Sequence, residues 1–147
     1  MNTNTDLYEQ DFFEWTHTTA DLIRQGAWCE VDSEALAEEI ESLGKSYQHE
    51  LEKCLYQLVK HLLKWRYQPQ RAGRSWRTSI NNQRVALDIL IENNPSLRPR
   101  CQPALEKRYP KARKHASTET GLPLATFPLV SPWTLEQILD DDFWPEL

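Results

Sequence analysis

The apolar residues of this chain recur at steps of three or four, the spacing that places them along one side of an α-helix. The longest such stripe lies between Asp32 and Pro69. Its members are Leu36, Ile40, Leu43, Tyr47, Leu51, Cys54, Leu58, Leu62 and Trp65. Asp32 or Ser33 can cap this helix, and Pro69 ends it because the residue before a proline avoids the helical region. Further apolar residues flank the stripe beyond Leu51, so we expect the second half to be the more deeply buried.

Shorter runs with the same spacing predict three further helices. The first extends to Gln25 from either Leu7 or Asp11. The next begins near Ser75 and stops at the following proline, and the last reaches Gly121. Glycine just past a helical pattern is a common C-terminal signal, so each helix has a defined end.

The remaining C-terminal residues form a tail punctuated by prolines, LPLATFPLVSPWTLEQILDDDFWPEL. Within it Thr134 and Gln137 have the spacing of a capping box, which predicts one short helix. No stretch alternates apolar and polar residues as a strand would. The sequence therefore predicts an all-α fold over residues 1–147 as a single domain. We expect a helical bundle built on a long antiparallel helix hairpin and completed by the short helical tail.

Composition is that of a globular protein that is soluble in water. The chain has 147 residues, of which 39% are hydrophobic and 27% are charged. No stretch has the features of a signal peptide or a membrane span, and the three cysteines form no CxxC pair. No glycine-rich phosphate loop can be built from four scattered glycines. We expect a cytoplasmic protein with no membrane association and no cofactor.

Charge is segregated along the chain, although the net charge is only -5. Residues 1–52 contain 13 acidic and 2 basic side chains, whereas residues 53–87 contain 8 basic side chains and no acidic one. Residues 115–147 contain 6 acidic side chains and no basic one. Such blocks either neutralise one another inside the fold or present different surfaces to different partners.

The basic block contains an aromatic segment, residues 61–84, with six arginines or lysines, two tryptophans and a tyrosine. Four of its arginines flank the turn between the two long helices: Arg66, Arg71, Arg74 and Arg77. Arginines interleaved with aromatic rings suit phosphate contacts and base stacking, so these four are candidates for binding a polyanion. The sequence pI of about 5.4 argues against a dedicated nucleic-acid protein.

A second candidate site is a buried polar cluster. Gln83 and Arg84 occupy positions where the stripe of their helix requires apolar residues, and His61 lies at the edge of the preceding stripe. A buried arginine needs a carboxylate, which Glu14 or the EEIE segment at residues 38–41 could supply. The predicted cluster comprises Glu38, Glu39, His61, Gln83 and Arg84. The same hairpin geometry predicts that Trp65 meets Trp76.

A metal centre was weighed because helical bundles can hold two metal ions with paired Glu-x-x-His motifs. Glu14 and His17 form one such pair, and no second pair exists. The glutamates at 38–41 could add oxygen ligands, but runs of this kind are common on solvated helix faces. The sequence therefore predicts no metal site and identifies no catalytic residue. A metal-binding or enzymatic bundle using Glu14, His17 and residues 38–41 remains an alternative.

Seven short stretches resemble the bacterial family known as domain of unknown function 29. They are YEQDFFEWT, LAEEIESLG, HLLKWRYQP, SWRTSINNQR, NPSLRP, ETGLP and PWTLEQILDDDFWP. The resemblance covers nearly the whole chain and implies a stand-alone helical domain from bacteria, without an assigned activity. Separately from the resemblance, we favour a protein-interaction or adaptor module with an unknown protein partner over an enzyme. Binding of nucleic acid or another polyanion through residues 61–84 is the alternative, and the oligomeric state is not predicted.

Overall fold

The computed structural model describes residues 3–146, and every regular element among them is helical. The all-α prediction is confirmed. The chain divides into two compact units, Met1–Ser46 and Tyr47–Leu147. The prediction that residues 1–147 form a single domain stays a prediction.

The first unit begins with two helices where the sequence predicted one. Helix α1 spans Thr3–Gln10 and helix α2 spans Phe12–Arg24. Asp11 separates them, and its carboxylate accepts a hydrogen bond from the backbone NH of Glu14 at 3.1 Å. Asp11 therefore caps α2, and the chain before it forms a helix of its own. A short 3-10 helix, Trp28–Glu30, then leads to the long helix α3, Ser33–Tyr67.

Asn4 organises the interior of the first unit. Its side-chain oxygen accepts hydrogen bonds from the Trp15 indole at 3.3 Å and from the Asp32 backbone NH at 2.7 Å. Its side-chain nitrogen donates to the Thr19 hydroxyl at 2.9 Å. One buried amide thus ties the chain before α3 to both preceding helices, because buried polar groups must find partners.

The second unit contains the rest of α3, helix α4 (Arg74–Asn93) and helix α5 (Cys101–Thr120). A 3-10 turn, Pro69–Arg71, joins α3 to α4, and a longer one, Pro95–Arg100, joins α4 to α5. The core residues are Leu51, Cys54, Leu55, Leu58, Val59, Leu62, Leu63, Ile80, Leu87, Leu97, Cys101, Ala104, Leu105, Tyr109, Ala112, Ala116, Phe127, Leu135 and Ile138. All three helices and the tail contribute to this core.

The C-terminal tail packs against the core of the second unit. Gly121 ends α5 with a φ of 75°, a left-handed conformation that favours glycine. Phe127 and Ile138 are buried, the latter in helix α6, Leu135–Leu139. Thr134 and Gln137 form both hydrogen bonds of the capping box, so that prediction is confirmed.

The two halves of α3 differ in burial. Leu55, Leu58 and Leu62 in its second half are each 0% exposed, as the widened stripe predicts. In the first half, Ile40 is 63% exposed and Leu43 is 61% exposed. The helix continues through Gly44, so the exposure of these two residues does not result from a break in the helix.

Candidate interaction surfaces

The four arginines predicted to flank the turn between α3 and α4 are all exposed. None of them forms an ion pair with a carboxylate among the described residues. We use the name arginine-aromatic surface for these four arginines together with two tryptophans. Its members are Arg66, Arg71, Arg74, Arg77, Trp65 and Trp144. Four cations close together without carboxylate partners repel one another, so this surface carries a concentrated positive potential.

Aromatic rings support several cations in this region. The guanidinium of Arg77 lies 5.3 Å from the ring centre of Trp65 and 4.6 Å from that of Trp144. Arg66 lies 5.1 Å from the ring of Tyr67. These distances are within the range of cation-π attraction, which holds the charged groups against the surface while leaving their donors accessible.

The predicted contact between Trp65 and Trp76 is replaced by a contact with the tail. The ring centres of Trp65 and Trp144 are 4.8 Å apart. Trp76 instead receives the ammonium of Lys64 at 4.8 Å from its ring centre. The expectation of an indole pair was wrong because the C-terminal tail folds back and supplies the second ring.

Arg84 is buried, with 1% of its surface exposed, but its partner differs from the predicted one. Its Nε donates to the carbonyl oxygen of Ile138 at 2.9 Å, and its guanidinium lies 5.5 Å from the ring of Trp144. Its two terminal nitrogens have no hydrogen-bond partner within residues 3–146. Burial lowers the pKa of Arg84, while Asp141 and Asp140 act in the opposite direction. Within the second unit, the tail faces this arginine.

Among the other members of the predicted polar cluster, Glu39 and His61 have hydrogen-bond partners within their own units. Glu38 is exposed, and Glu39 accepts a hydrogen bond from the Tyr8 hydroxyl at 2.5 Å within the first unit. His61 and Gln83 are half-buried in the second unit. Nδ1 of His61 lies 2.8 Å from the carbonyl oxygen of Gln57, one helical turn earlier. Desolvation by burial lowers the pKa of His61, opposed by this hydrogen bond.

The structure shows a second polar cluster that the sequence reasoning missed. Lys60 and Lys64 on α3 are each 8% exposed and share Glu119 of α5, with nitrogen-to-oxygen distances of 3.0 and 3.7 Å. Burial raises the pKa of Glu119, but the two lysines outweigh this effect and hold the pKa below its usual range. Beside them, the Tyr56 hydroxyl bonds Nδ1 of His115. The sequence contains one signal for this cluster, since Lys60 and Lys64 lie one helical turn apart within an apolar stretch.

Glu52 is a further buried charge, and two bases compensate it. Its side chain is 4% exposed and lies 2.9 Å from Lys107 and 3.0 Å from Arg108. Burial alone raises the pKa of Glu52, but hydrogen bonds and attraction from both bases hold it below its ordinary value. This cluster joins α3 to α5 and has the arrangement of a structural ion pair.

The first unit presents exposed apolar residues in acidic surroundings. Ile40 and Leu43 lie three residues apart on α3 and therefore on one side of the helix. Glu38 and Glu41, one or two residues away along the same helix, are also exposed. Residues 1–46 contain 11 acidic and 2 basic side chains. We call Ile40, Leu43, Glu38 and Glu41 the acidic apolar face.

An open groove with a cavity volume of about 550 Å³ lies between α5 and the tail. Tyr109 and Trp133 are among its lining residues. Leu129 and Val130, also in its lining, are each 75% exposed. These two residues provide a reference in the second unit for apolar side chains that are exposed to the same degree as Ile40 and Leu43.

The alternative of a metal centre has no support in the structure. Within the described residues, no three His, Cys, Asp or Glu side chains lie together as a metal ion requires. Glu14, His17 and the glutamates at 38–41 do not form such a group; His17 packs against Phe13, with ring centres 4.7 Å apart.

No helix in the described part of the chain is both long and apolar enough to cross a membrane.

The architecture defines an all-α protein in which three long helices and a returning tail enclose the core of the second unit. The sequence profile described as Domain of unknown function DUF29 matches residues 7–144. The chain therefore belongs to this family, which confirms the resemblance of its motifs. No curated protein and no solved structure matches the chain.

Proposed function

We propose that this protein is a cytoplasmic, bacterial protein-interaction module whose first unit binds a partner through the acidic apolar face. The observation that carries the proposal is the exposure of Ile40 and Leu43, 63% and 61%, on a helix whose later turns are fully buried. Large exposed apolar residues rimmed by charge are typical of interaction sites. The free cysteines at 29, 54 and 101 are consistent with a reducing compartment.

Charge complementarity selects the chemistry of the partner. Glu38 and Glu41 are exposed on the same helix, in a unit with 11 acidic and 2 basic residues. An amphipathic helix with an apolar stripe and lysine or arginine flanks would cover the apolar side chains and neutralise the glutamates. An acidic helix would be repelled. The partner that best fits is therefore a basic amphipathic helix of another protein.

A synthetic peptide can test this proposal without knowledge of the natural partner. The probe is a helical peptide with leucines at steps of three and four and lysines on both flanks; its control has glutamates in place of the lysines. We expect the lysine peptide to bind, and the glutamate peptide not to bind, in fluorescence anisotropy. Replacing Ile40→Ser together with Leu43→Ser is expected to weaken binding by about 2–4 kcal/mol, the range of interface hot spots.

The matched control is Leu129→Ser with Val130→Ser, which removes equally exposed apolar side chains from the second unit and should leave the affinity unchanged. An equal loss in both variants, or no binding of the lysine peptide to the wild-type chain, would contradict the proposal. Sedimentation measures the oligomeric state and tests one other outcome. If the wild-type chain is a dimer and the Ile40 and Leu43 substitutions dissociate it, the acidic apolar face binds a second copy of the chain rather than a basic partner.

A second candidate function is polyanion binding through the four exposed arginines. The supporting observation is their lack of carboxylate partners among the described residues, together with the packing of Arg66 and Arg77 on aromatic rings. Uncompensated arginines bind phosphates and release counterions, so the affinity of such a site falls steeply as salt rises.

We expect a single-stranded oligothymidylate to bind weakly at low salt if this candidate is correct. Replacing Arg71 and Arg74 with alanine should reduce the slope of log affinity against log salt by about 1–2. Replacing Lys111 and Lys114, two exposed bases of α5, changes the net charge equally and should affect binding less. Absence of binding at about 50 mM salt would exclude the candidate.

A further inference from the structure

The indole of Trp144 occupies a socket made by two arginines and another tryptophan. Its ring centre is 4.8 Å from that of Trp65, 4.6 Å from the guanidinium of Arg77 and 5.5 Å from that of Arg84. Two cations and one ring thus contact a single indole. Cation-π attraction and ring stacking give such a socket a preference for tryptophan.

The residues around Trp144 have the opposite charge to the socket. Asp140, Asp141 and Asp142 precede it, and all three are exposed. Asp141 and Asp140 act electrostatically on Arg84, although neither forms an ion pair with it. The tail therefore presents the two features that the socket selects, an indole and carboxylates.

Arg84 has hydrogen-bonding capacity that the described tail does not use. It is 1% exposed, and both of its terminal nitrogens are without a hydrogen-bond partner within residues 3–146. Leaving charged donors unpaired in the interior is costly. A carboxylate brought against these nitrogens would remove that cost, so the socket favours ligands more acidic than its present contacts.

We propose that the socket formed by Trp65, Arg77 and Arg84 is a binding site for acidic peptide segments that contain tryptophan. The chain's own tail fills it in cis, and a partner's segment with the same chemistry binds when the tail leaves. This site lies within the second unit and does not depend on the acidic apolar face. It uses Arg77 of the arginine-aromatic surface, but its ligand is a peptide rather than a nucleic acid.

The test uses the full chain and a fluorescein-labelled peptide with the sequence of residues 140–147, DDDFWPEL. In the wild-type chain the tethered tail competes at a high effective concentration, so the peptide should bind weakly. Trp144→Ala empties the socket and is expected to raise the affinity for the peptide by about tenfold or more. Adding Arg77→Ala to this variant should abolish the gain, because Arg77 contacts the indole directly.

A second variant covers the case in which Trp144→Ala disturbs folding. Asp141→Asn with Asp142→Asn alters only exposed side chains of the tail and should also raise the affinity for the peptide severalfold. Two altered peptides test the ligand chemistry: DDDFAPEL should not bind, and NNNFWPEL should bind more weakly with less dependence on salt.

Three results would overturn the proposal. One is that both tail variants bind the peptide no better than the wild-type chain does. Another is that DDDFAPEL binds as well as DDDFWPEL, because the indole would then be irrelevant. The third is that the Trp144→Ala chain binds an oligothymidylate more tightly than the peptide, which would assign the socket to nucleic acid.

Discussion

Replacing Phe127 with alanine is expected to lower the free energy of unfolding by about 3–5 kcal/mol, the range for a buried phenylalanine. The side chain is 1% exposed and its ring packs against that of Tyr67, with centres 5.3 Å apart. Its carbonyl oxygen also accepts a hydrogen bond from Arg113 Nε at 2.9 Å. Truncation leaves a cavity between the tail and α3 that the surrounding helices can fill only in part. Urea unfolding followed by circular dichroism measures the change.

Leu124→Ala is the control, since Leu124 lies three residues earlier in the same tail and is 44% exposed. We expect a change below about 1 kcal/mol for this variant. If Phe127→Ala also lowered the free energy of unfolding by less than about 1 kcal/mol, the tail would not be part of the core.

The second large effect concerns the buried carboxylate of Glu52. Replacing both Lys107 and Arg108 with methionine removes the two bases that contact it at 2.9 and 3.0 Å. An uncompensated carboxylate with 4% exposure is then left in the interior. Breaking a buried pair from one side costs about 3–5 kcal/mol, and we expect a loss in this range near neutral pH.

The contribution of Glu52 to the pH dependence of stability should have opposite signs in the wild-type chain and in the double variant. In the wild-type chain the pKa of Glu52 is lowered, so its stabilisation is present above the usual pKa of a glutamate and is lost as the pH falls through the lowered value. In the double variant burial acts alone and raises the pKa of Glu52. The variant should therefore gain stability on acidification from about pH 7 to about pH 5.

Adding Glu52→Gln to the double variant supplies the check, because glutamine is neutral at every pH. This triple variant should recover much of the lost stability and show no such gain on acidification. A double variant with wild-type stability at every pH would mean that Glu52 reaches water in solution.

Local sequence signals predicted those parts of the fold that depend on neighbouring residues. Asp11 and the pair Thr134 and Gln137 cap helices as their spacing indicates, since a cap needs only a few consecutive residues. The buried half of α3 was also recognisable, because Leu55, Val59 and Leu63 widen its apolar stripe there.

Other parts depended on residues far away in the sequence. The stripe from Leu36 to Trp65 is continuous in sequence, yet Ile40 and Leu43 within it are exposed. The partner of Arg84 could not be predicted for a similar reason. Its contacts with Ile138 and Trp144 arise only when the tail folds back over α4.

The candidate surfaces, too, could be predicted only where they depend on neighbouring residues. The exposure of Arg66, Arg71, Arg74 and Arg77 could be predicted, because they flank a turn that must lie at the surface. The polar cluster of Glu38, Glu39, His61, Gln83 and Arg84 stays a prediction; Glu39 accepts a hydrogen bond from Tyr8 within the first unit. The contact of Lys60 and Lys64 with Glu119 requires the packing of α3 against α5, which periodicity alone does not specify.

The most direct measurement of the central claim is nuclear magnetic resonance of the isotopically labelled full chain during titration with the lysine-flanked helical peptide. We predict that backbone and methyl signals of Ile40, Leu43 and their neighbours Glu38 and Glu41 shift in proportion to bound peptide, and that the glutamate-flanked peptide causes no shift. Shifts confined to the arginine-aromatic surface, or equal shifts with both peptides, would contradict the claim that the acidic apolar face binds a basic helix.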